Sequence, residues 1–186
     1  MKGYALLIGV DEVSTSNYGD PFKMDCIKNN ITELEKLLKR ENLFKDRITP
    51  LRGANCTWEN VQKQLENFSN LSVTEEGYLL IYYSGHGISY PFSEPLQEKK
   101  SEFFFFYDRM VYETEIRESL SSINSKIKVF LIADSCHSGG LNTLLSKAIM
   151  PIKLMTYNFE ISQETKFEAA YSLKENLYNN LISSYD

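Results

Sequence analysis

Two polar, glycine-containing segments carry the residue types best suited to covalent chemistry. The chain has only two histidines, His86 and His137, and Cys136 lies directly before the second. A free thiol is a weak nucleophile at neutral pH because little of it is ionised, and a nearby imidazole can lower its pKa or take its proton during attack. The sequence therefore predicts nucleophilic catalysis by a cysteine and a histidine.

We assign the role of base to His86. His137 is adjacent to Cys136, and neighbouring residues at the end of an extended strand point to opposite faces. His86 comes from a different strand and can approach the thiol from the side. The backbone N–H groups of Gly87 and Cys136 can then face a developing oxyanion, where one such donor is typically worth about 3–4 kcal/mol.

Asp134 lies two residues before Cys136, so both side chains are expected on the same side of the strand end. A carboxylate in this position can cap a turn. It can also hold an arginine or lysine of a substrate through charge-assisted hydrogen bonds of about 1.5–3 kcal/mol each. The residue types leave both roles open.

Other catalytic classes fit the sequence less well. The zinc signatures H-E-x-x-H and H-x-E…C-x-x-C do not occur, and neither does a Gly-rich phosphate loop. Ser84 is not in a G-x-S-x-G elbow, because Tyr82 and His86 occupy the two glycine positions. Zinc bound by His86, Cys136 and His137 would lack an evident fourth ligand. We therefore expect no metal.

The segments that must position these residues read as buried strands. Apolar runs too short for buried helices cover residues 4–10, 78–83 and 127–133. The second and third runs end at the two polar segments, and ligands in open α/β sheets bind outside the carboxyl ends of the strands. The two polar segments are therefore expected to meet at one edge of a sheet.

Periodic apolar residues predict helices between these strands. One stripe recurs at spacings of three and four, and a second follows the candidate N-cap Thr57; the stripes are Met24, Ile27, Ile31, Leu34, Leu38 and Trp58, Val61, Leu65, Phe68. A helix is also predicted over 111–123, a short strand over 48–51 and a loop over 88–102. Further helices are expected near 141–148 and 173–183, with a strand near 152–157. This alternation is typical of an α/β sandwich.

Composition is that of one globular domain with its own core. The chain has 186 residues, 42% hydrophobic and 24% charged. A net charge of −5 without a basic stripe argues against a nucleic-acid partner and favours basic substrates. Three cysteines without a C-x-x-C pair indicate a reducing compartment, and we find no signal peptide or membrane span. We therefore expect a cytoplasmic protein.

In three segments the chain resembles the caspase-like cysteine peptidases, most closely the metacaspases and orthocaspases. These are A-L-L-I-G-V at residues 5–10, Y-Y-S-G-H-G at 82–87 and D-S-C-H-S-G at 134–139. Residues 103–108 are similar to a segment of this family, a strand followed by an Asp, that precedes the helix between the histidine and cysteine motifs. The resemblance implies a caspase-like three-layer sandwich, with a mixed, mostly parallel six-stranded sheet and helices on both faces.

The resemblance also implies a Cys136–His86 dyad that cleaves peptide or protein substrates after Arg or Lys. Asp134 would form one wall of the acidic substrate pocket, with Ser84 among the pocket residues. The other wall in metacaspases is an Asp of the first helix; Asn30 takes that position here, or Asn29 if the match is shifted by one residue, and Asp25 could reach in.

The implied domain covers residues 1–186, with a large-subunit-like part over about 1–145 and an abbreviated small-subunit-like part over about 146–186. The acidic segment that accompanies calcium activation in metacaspases is absent between residues 88 and 107, so we expect no cofactor. The short distal part and Asn30 also fit an alternative function. In that alternative the chain is a caspase-fold interaction or regulatory module, inactive or dormant until a protein partner binds.

Overall fold

A parallel sheet forms the central layer of the computed structural model, which describes residues 2–19, 23–71, 76–91, 100–135 and 153–154. In chain order the strands are β1 (Lys2–Gly9), β2 (Ile48–Arg52), β3 (Gly77–Ser84), β4 (Gly87–Pro91), β5 (Lys100–Phe105), β6 (Met110–Tyr112), β7 (Ile127–Asp134) and β8 (Lys153–Leu154). The main sheet has the order β2-β1-β3-β7-β8, and all its pairs are parallel. Its three central strands are the three apolar runs of the sequence.

Helices cover both faces of this sheet, which explains why its strands are apolar along their length. They are α1 (Thr15–Tyr18), α2 (Asp25–Arg40), α3 (Trp58–Ser69) and α4 (Glu113–Ser121). Helix α2 buries its predicted stripe with Ala5 and Leu7 of β1, whereas α3 packs into the cluster that contains Leu6 and Ile8. Alternate residues of β1 thus serve opposite layers. The predicted α/β class with helices on both faces is confirmed.

The predicted cap of α3 is also confirmed. The Thr57 hydroxyl accepts a hydrogen bond from the backbone N–H of Asn60 at 3.2 Å. It satisfies one of the amide groups that lack a partner in the first turn of a helix.

A second, antiparallel sheet corrects two predictions. Strands β4, β5 and β6 pair in that order, so the loop predicted over 88–102 is wrong at both ends. The helix predicted over 111–123 begins only at Glu113, because residues 110–112 pair with β5 instead. The four consecutive phenylalanines 103–106 are all buried. Packing of their rings, rather than the helical spacing of apolar residues, determines the local structure.

The main sheet differs from the predicted one in its described strands. It has five strands rather than six and is parallel throughout, and the antiparallel pairing occurs in the separate small sheet. The strand predicted near 152–157 is represented by β8. The helices predicted near 141–148 and 173–183 lie outside the described residues, so the two-part domain division stays a prediction. None of the described helices is both long and apolar enough to span a bilayer.

Pro50 lies in the middle of β2, the edge strand of the main sheet as described. Its partner on β1 is Leu7, and the Ala5 N–H donates to the Arg47 carbonyl at 2.9 Å. Backbone groups alternate in direction along a strand, so residues 47 and 49 address β1 and the Pro50 nitrogen faces the open side. This is the position that a sheet allows for proline, since no ladder hydrogen bond is lost.

Two buried carboxyl groups lie where the small sheet meets α4. The register pairs Phe103 with Tyr112, so Glu102 precedes this pair on β5 and Glu113 follows it as the first residue of α4. Glu102 is 7% exposed and Glu113 is 8% exposed. Burial, and then the charge of Glu102, raise the pKa of Glu113 to about 7, although Arg117 acts in the opposite direction.

The raised pKa of Glu113 predicts that the contribution of this group to the free energy of unfolding falls as the pH rises. A carboxyl whose pKa is raised on folding stabilises the fold fully below its unfolded value of 4.5, and that contribution is lost as the pH passes through about 7. Between pH 5 and pH 8 the free energy of unfolding of the wild type should fall by about 2 kcal/mol relative to Glu113→Gln. Urea unfolding at both pH values measures this. The exposed Glu118→Gln on the same helix is the control, and equal slopes for wild type and Glu113→Gln would contradict the prediction.

Candidate active site

The carboxyl ends of three parallel strands meet at one edge of the main sheet. Gly9 of β1 pairs with Ser84 of β3, and Ser84 pairs with Asp134 of β7. The backbone N–H of Gly85 donates to the Asp134 carbonyl at 3.4 Å. The two polar segments therefore come together where the sequence predicts, as far as Asp134 and Ser135. Cys136 and His137 lie outside the described residues, so the dyad stays a prediction.

The backbone of His86 is held by a buried tyrosine. The Tyr83 hydroxyl lies 2.7 Å from the His86 carbonyl oxygen and 2.8 Å from that of Phe105. The Phe105 N–H also donates to the His86 carbonyl at 3.1 Å. The imidazole packs edge-on against the Phe105 ring, with centroids 6.0 Å apart. These contacts connect the segment after β3 to β5. They fix the backbone position from which the His86 side chain projects.

Burial makes His86 a neutral imidazole at ordinary pH. The ring is only partly exposed, and desolvation of its charged form lowers its pKa from 6.5 to about 4. A neutral imidazole has one nitrogen without a proton and can therefore accept one. His86 has the protonation state that a general base requires.

Gly87 is the first residue of β4, opposite Phe104 of β5. Because the Phe105 N–H bonds to the carbonyl of His86, residues 87 and 104 form a non-hydrogen-bonded pair of the ladder. The N–H of Gly87 is thus directed away from β5. This orientation is compatible with the predicted contact to an oxyanion, which stays a prediction.

Asp134 is the centre of a hydrogen-bonded cluster. Its Oδ2 accepts from the Tyr82 hydroxyl at 2.8 Å, from the Ser84 hydroxyl at 3.3 Å and from the Asn30 amide nitrogen at 3.4 Å. The structure thus brings together three of the four predicted pocket residues. Burial, followed by the hydrogen bond to Asp134, raises the pKa of Tyr82 well above its usual range, so its hydroxyl keeps its proton.

Asp25, the fourth predicted pocket residue, lies in the first turn of α2 and is exposed. Asn30 follows it by five residues, which is about 140° around a helix, so the two side chains lie on different sides. The charge of Asp25 acts on Lys28. It is Asn30 that connects α2 to Asp134.

Sequence reasoning missed two residues of this edge. The sequence motif alone assigns no role to Tyr82, although this residue shares a strand face with Ser84 and so points toward Asp134. Asp11, just beyond β1, is 5% exposed; it accepts from the Gly53 N–H at 3.0 Å and contacts the Lys28 ammonium at 3.1 Å. The latter contact links Asp11 to α2, the helix that carries Asn30. The polar residue after an apolar strand was the available signal for Asp11.

The two described cysteines have no place in this site. Cys56 is fully buried, its thiol donates to the Gly9 carbonyl at 3.1 Å, and burial raises its pKa to about 12. Cys26 is exposed on α2. Across the described ranges, no three His, Cys, Asp or Glu side chains are grouped so that they could hold a metal ion.

The contact between Gly85 and Tyr83 predicts a measurable coupling. A Cβ atom at Gly85 would lie 2.5 Å from the Tyr83 hydroxyl oxygen and 2.8 Å from the ring carbon that bears it. Gly85→Ala should lower the free energy of unfolding by about 1–3 kcal/mol through overpacking. The same substitution should cost less in a Tyr83→Phe background, because the closest atom is gone. Urea unfolding of both single variants and the double variant measures the coupling, and strict additivity would contradict the predicted contact.

Comparisons with known proteins agree on the family. Residues 2–178 match the family model of the caspase domain. The chain is 27% identical over 150 residues to Metacaspase-9 of Arabidopsis thaliana, in an alignment that covers 75% of this chain and 44% of that protein. The chain thus spans less than half the length of this relative.

A solved structure gives the same fold. The chain is similar to the crystal structure of protein GSU0716 from Geobacter sulfurreducens, with a TM-score of 0.63 and 19% sequence identity. The match covers 94% of this chain and 66% of that one. The resemblance to caspase-like peptidases, with a metacaspase among the relatives, is thereby confirmed. Because the family model spans nearly the whole chain, this protein belongs to the caspase-domain family of cysteine peptidases.

Proposed function

We propose that this chain is a cysteine endopeptidase that uses Cys136 as nucleophile and His86 as general base, and that it cleaves after a basic residue. The observation that carries the proposal is the edge of the main sheet. A neutral imidazole follows β3 there, and a carboxylate ends the neighbouring β7. Cys136 follows Asp134 by two residues, and two residues of chain span at most about 7 Å. This short separation along the chain supports Cys136 as the nucleophile.

The proton transfers follow from the state of His86. Its pKa of about 4 disfavours a resting imidazolium, so the imidazole takes the proton as the sulfur attacks the peptide carbonyl. The N–H groups of Gly87 and Cys136 stabilise the oxyanion. The imidazolium then gives its proton to the leaving amine as the C–N bond breaks. Water hydrolyses the thioester, with His86 again as the base.

Asp134 supports the preference for a basic side chain. Three neutral donors hold one of its oxygens at the strand end, which keeps the carboxylate oriented without neutralising its charge. The net charge of −5 also favours the approach of basic peptides. The proposed chemistry requires no cofactor. We propose that the enzyme acts in the cytoplasm without calcium.

Removal of the thiol tests the proposal directly. Cys136→Ala should lower kcat/KM on fluorogenic peptides with Arg or Lys before the scissile bond by at least about 1000-fold, because the proposed acyl-enzyme forms on this sulfur. Addition of calcium or of a chelator should leave the wild-type rate unchanged. Cys26→Ala is the matched control and should keep full activity. Equal inactivity of the wild type and Cys136→Ala would contradict the proposal and favour the alternative, a caspase-fold interaction or regulatory module that is inactive or dormant until a partner binds.

The buried base predicts an unusual pH profile. Only the neutral imidazole accepts a proton, so kcat/KM should fall as the pH drops through the pKa of His86, which is about 4. A solvated histidine would produce this fall near its ordinary value of about 6.5. Rates measured from pH 3.5 to pH 8, with recovery of activity checked after return to neutral pH, separate the two cases. An acid limb near 6.5 would contradict the role of burial.

A further inference from the structure

Asp134 offers an incoming basic side chain only part of its carboxylate. Three donors already bind Oδ2, and in the described part of the chain no residue binds Oδ1. We propose that Tyr82 and Asn30 determine the specificity of the site by leaving Asp134 one open carboxylate oxygen, so that the pocket prefers lysine over arginine. This inference rests on the function proposed above and names its substrate class more narrowly.

The strand register enforces the occupation of Oδ2. Ser84 is directly opposite Asp134 on the neighbouring strand, and Tyr82 precedes it by two residues on the same face. Both hydroxyls therefore reach the carboxylate from one side, and the shortest contact, 2.8 Å, comes from Tyr82. An oxygen of a carboxylate has about two lone-pair positions. Three donors saturate it, and a ligand cannot add a further strong hydrogen bond there.

An arginine depends on both oxygens. Its guanidinium is a planar fork that binds a carboxylate best through two parallel N–H···O bonds, one to each oxygen. With Oδ2 occupied, only one arm of the fork finds its acceptor. The remaining N–H groups would be desolvated without a matched partner, which is unfavourable.

A lysine side chain can be bound by a single carboxylate oxygen. Its ammonium is a compact charge with three rotatable donors, and it makes a strong contact with a single carboxylate oxygen. A second acceptor is close by, because the Asn30 amide that donates to Asp134 also carries a carbonyl oxygen. One carboxylate oxygen and one neutral oxygen suit an ammonium better than they suit a fork.

The residues involved also predict how the preference can be changed. Tyr82→Phe removes the closest donor and leaves Oδ2 with only the two longer contacts, at 3.3 and 3.4 Å, so a guanidinium N–H can compete for this oxygen. Asn30→Asp, on the exposed side of α2, adds a second carboxylate for a guanidinium. Each should shift the ratio of arginine to lysine affinity toward arginine by about fivefold or more. Tyr78→Phe is the matched control: it lies four residues earlier on the same face of β3 and packs against Phe130, with ring centroids 5.8 Å apart.

The experiment compares two peptides on each protein. Acetylated tetrapeptides that end in Lys or Arg are titrated calorimetrically into full-length Cys136→Ala protein, alone and combined with Tyr82→Phe, Asn30→Asp or Tyr78→Phe. Hydrolysis of the corresponding fluorogenic substrates is measured in parallel with Cys136 present. The ratio of the two affinities on one preparation does not depend on the fraction of protein that is folded. A merely structural role of Tyr82 would therefore leave the ratio unchanged.

The expected result is tighter binding of the lysine peptide to the Cys136→Ala protein, a shift toward arginine with Tyr82→Phe and Asn30→Asp, and no shift with Tyr78→Phe. A preference of the parent protein for arginine, no measurable binding of either peptide, or equal ratios for Tyr82→Phe and Tyr78→Phe would each overturn the inference. If the lysine preference is found but the wild type hydrolyses neither substrate, the proposed function fails and the inference about the pocket stands.

Discussion

The parallel register between β3 and β7 is the constraint on which the rest of the site depends. It places Ser84 beside Asp134, and with them the starting points of the histidine and cysteine segments. Because side chains alternate along each strand, the same register sends Tyr82 and Ser84 to the carboxylate and leaves Tyr83 on the opposite face. Tyr83 is then available to hold the carbonyls of His86 and Phe105. A slip of one residue would exchange these faces and break both sets of contacts.

The environments of the two ionisable groups at this edge, Asp134 and His86, differ. Asp134 accepts hydrogen bonds from three polar side chains, whereas His86 is packed against Phe105 and burial lowers its pKa. A hydrogen-bonded carboxylate and a neutral imidazole therefore lie near the ends of two neighbouring strands. The distinction comes from packing rather than from the types of residue, since desolvation of the imidazole is the first cause of its lowered pKa.

The sequence was informative wherever one physical signal acted alone. The three central strands are continuous apolar runs, and α2 and α3 follow single apolar stripes, so their positions were predicted to within about two residues. The meeting of the polar segments followed from the rule for parallel strand ends. The β4–β5 pairing was not predicted, because the polar residues between and at the ends of these strands resemble a loop and the aromatic run does not itself show which segment it pairs with. Tyr82 was missed for a related reason: only the register shows that a tyrosine on an apolar strand reaches a carboxylate on the next one.

The orientation of Pro50 has a consequence for how copies of this protein meet. A strand at the open side of a sheet normally displays a row of amide donors, which can template the addition of a strand from another molecule. Here the middle of that row carries a ring nitrogen without hydrogen. The backbone of an added strand would therefore lack a hydrogen bond at the centre of β2. Pro50 thus disfavours edge-to-edge polymerisation, and the pairing of β2 with β1 is unaffected.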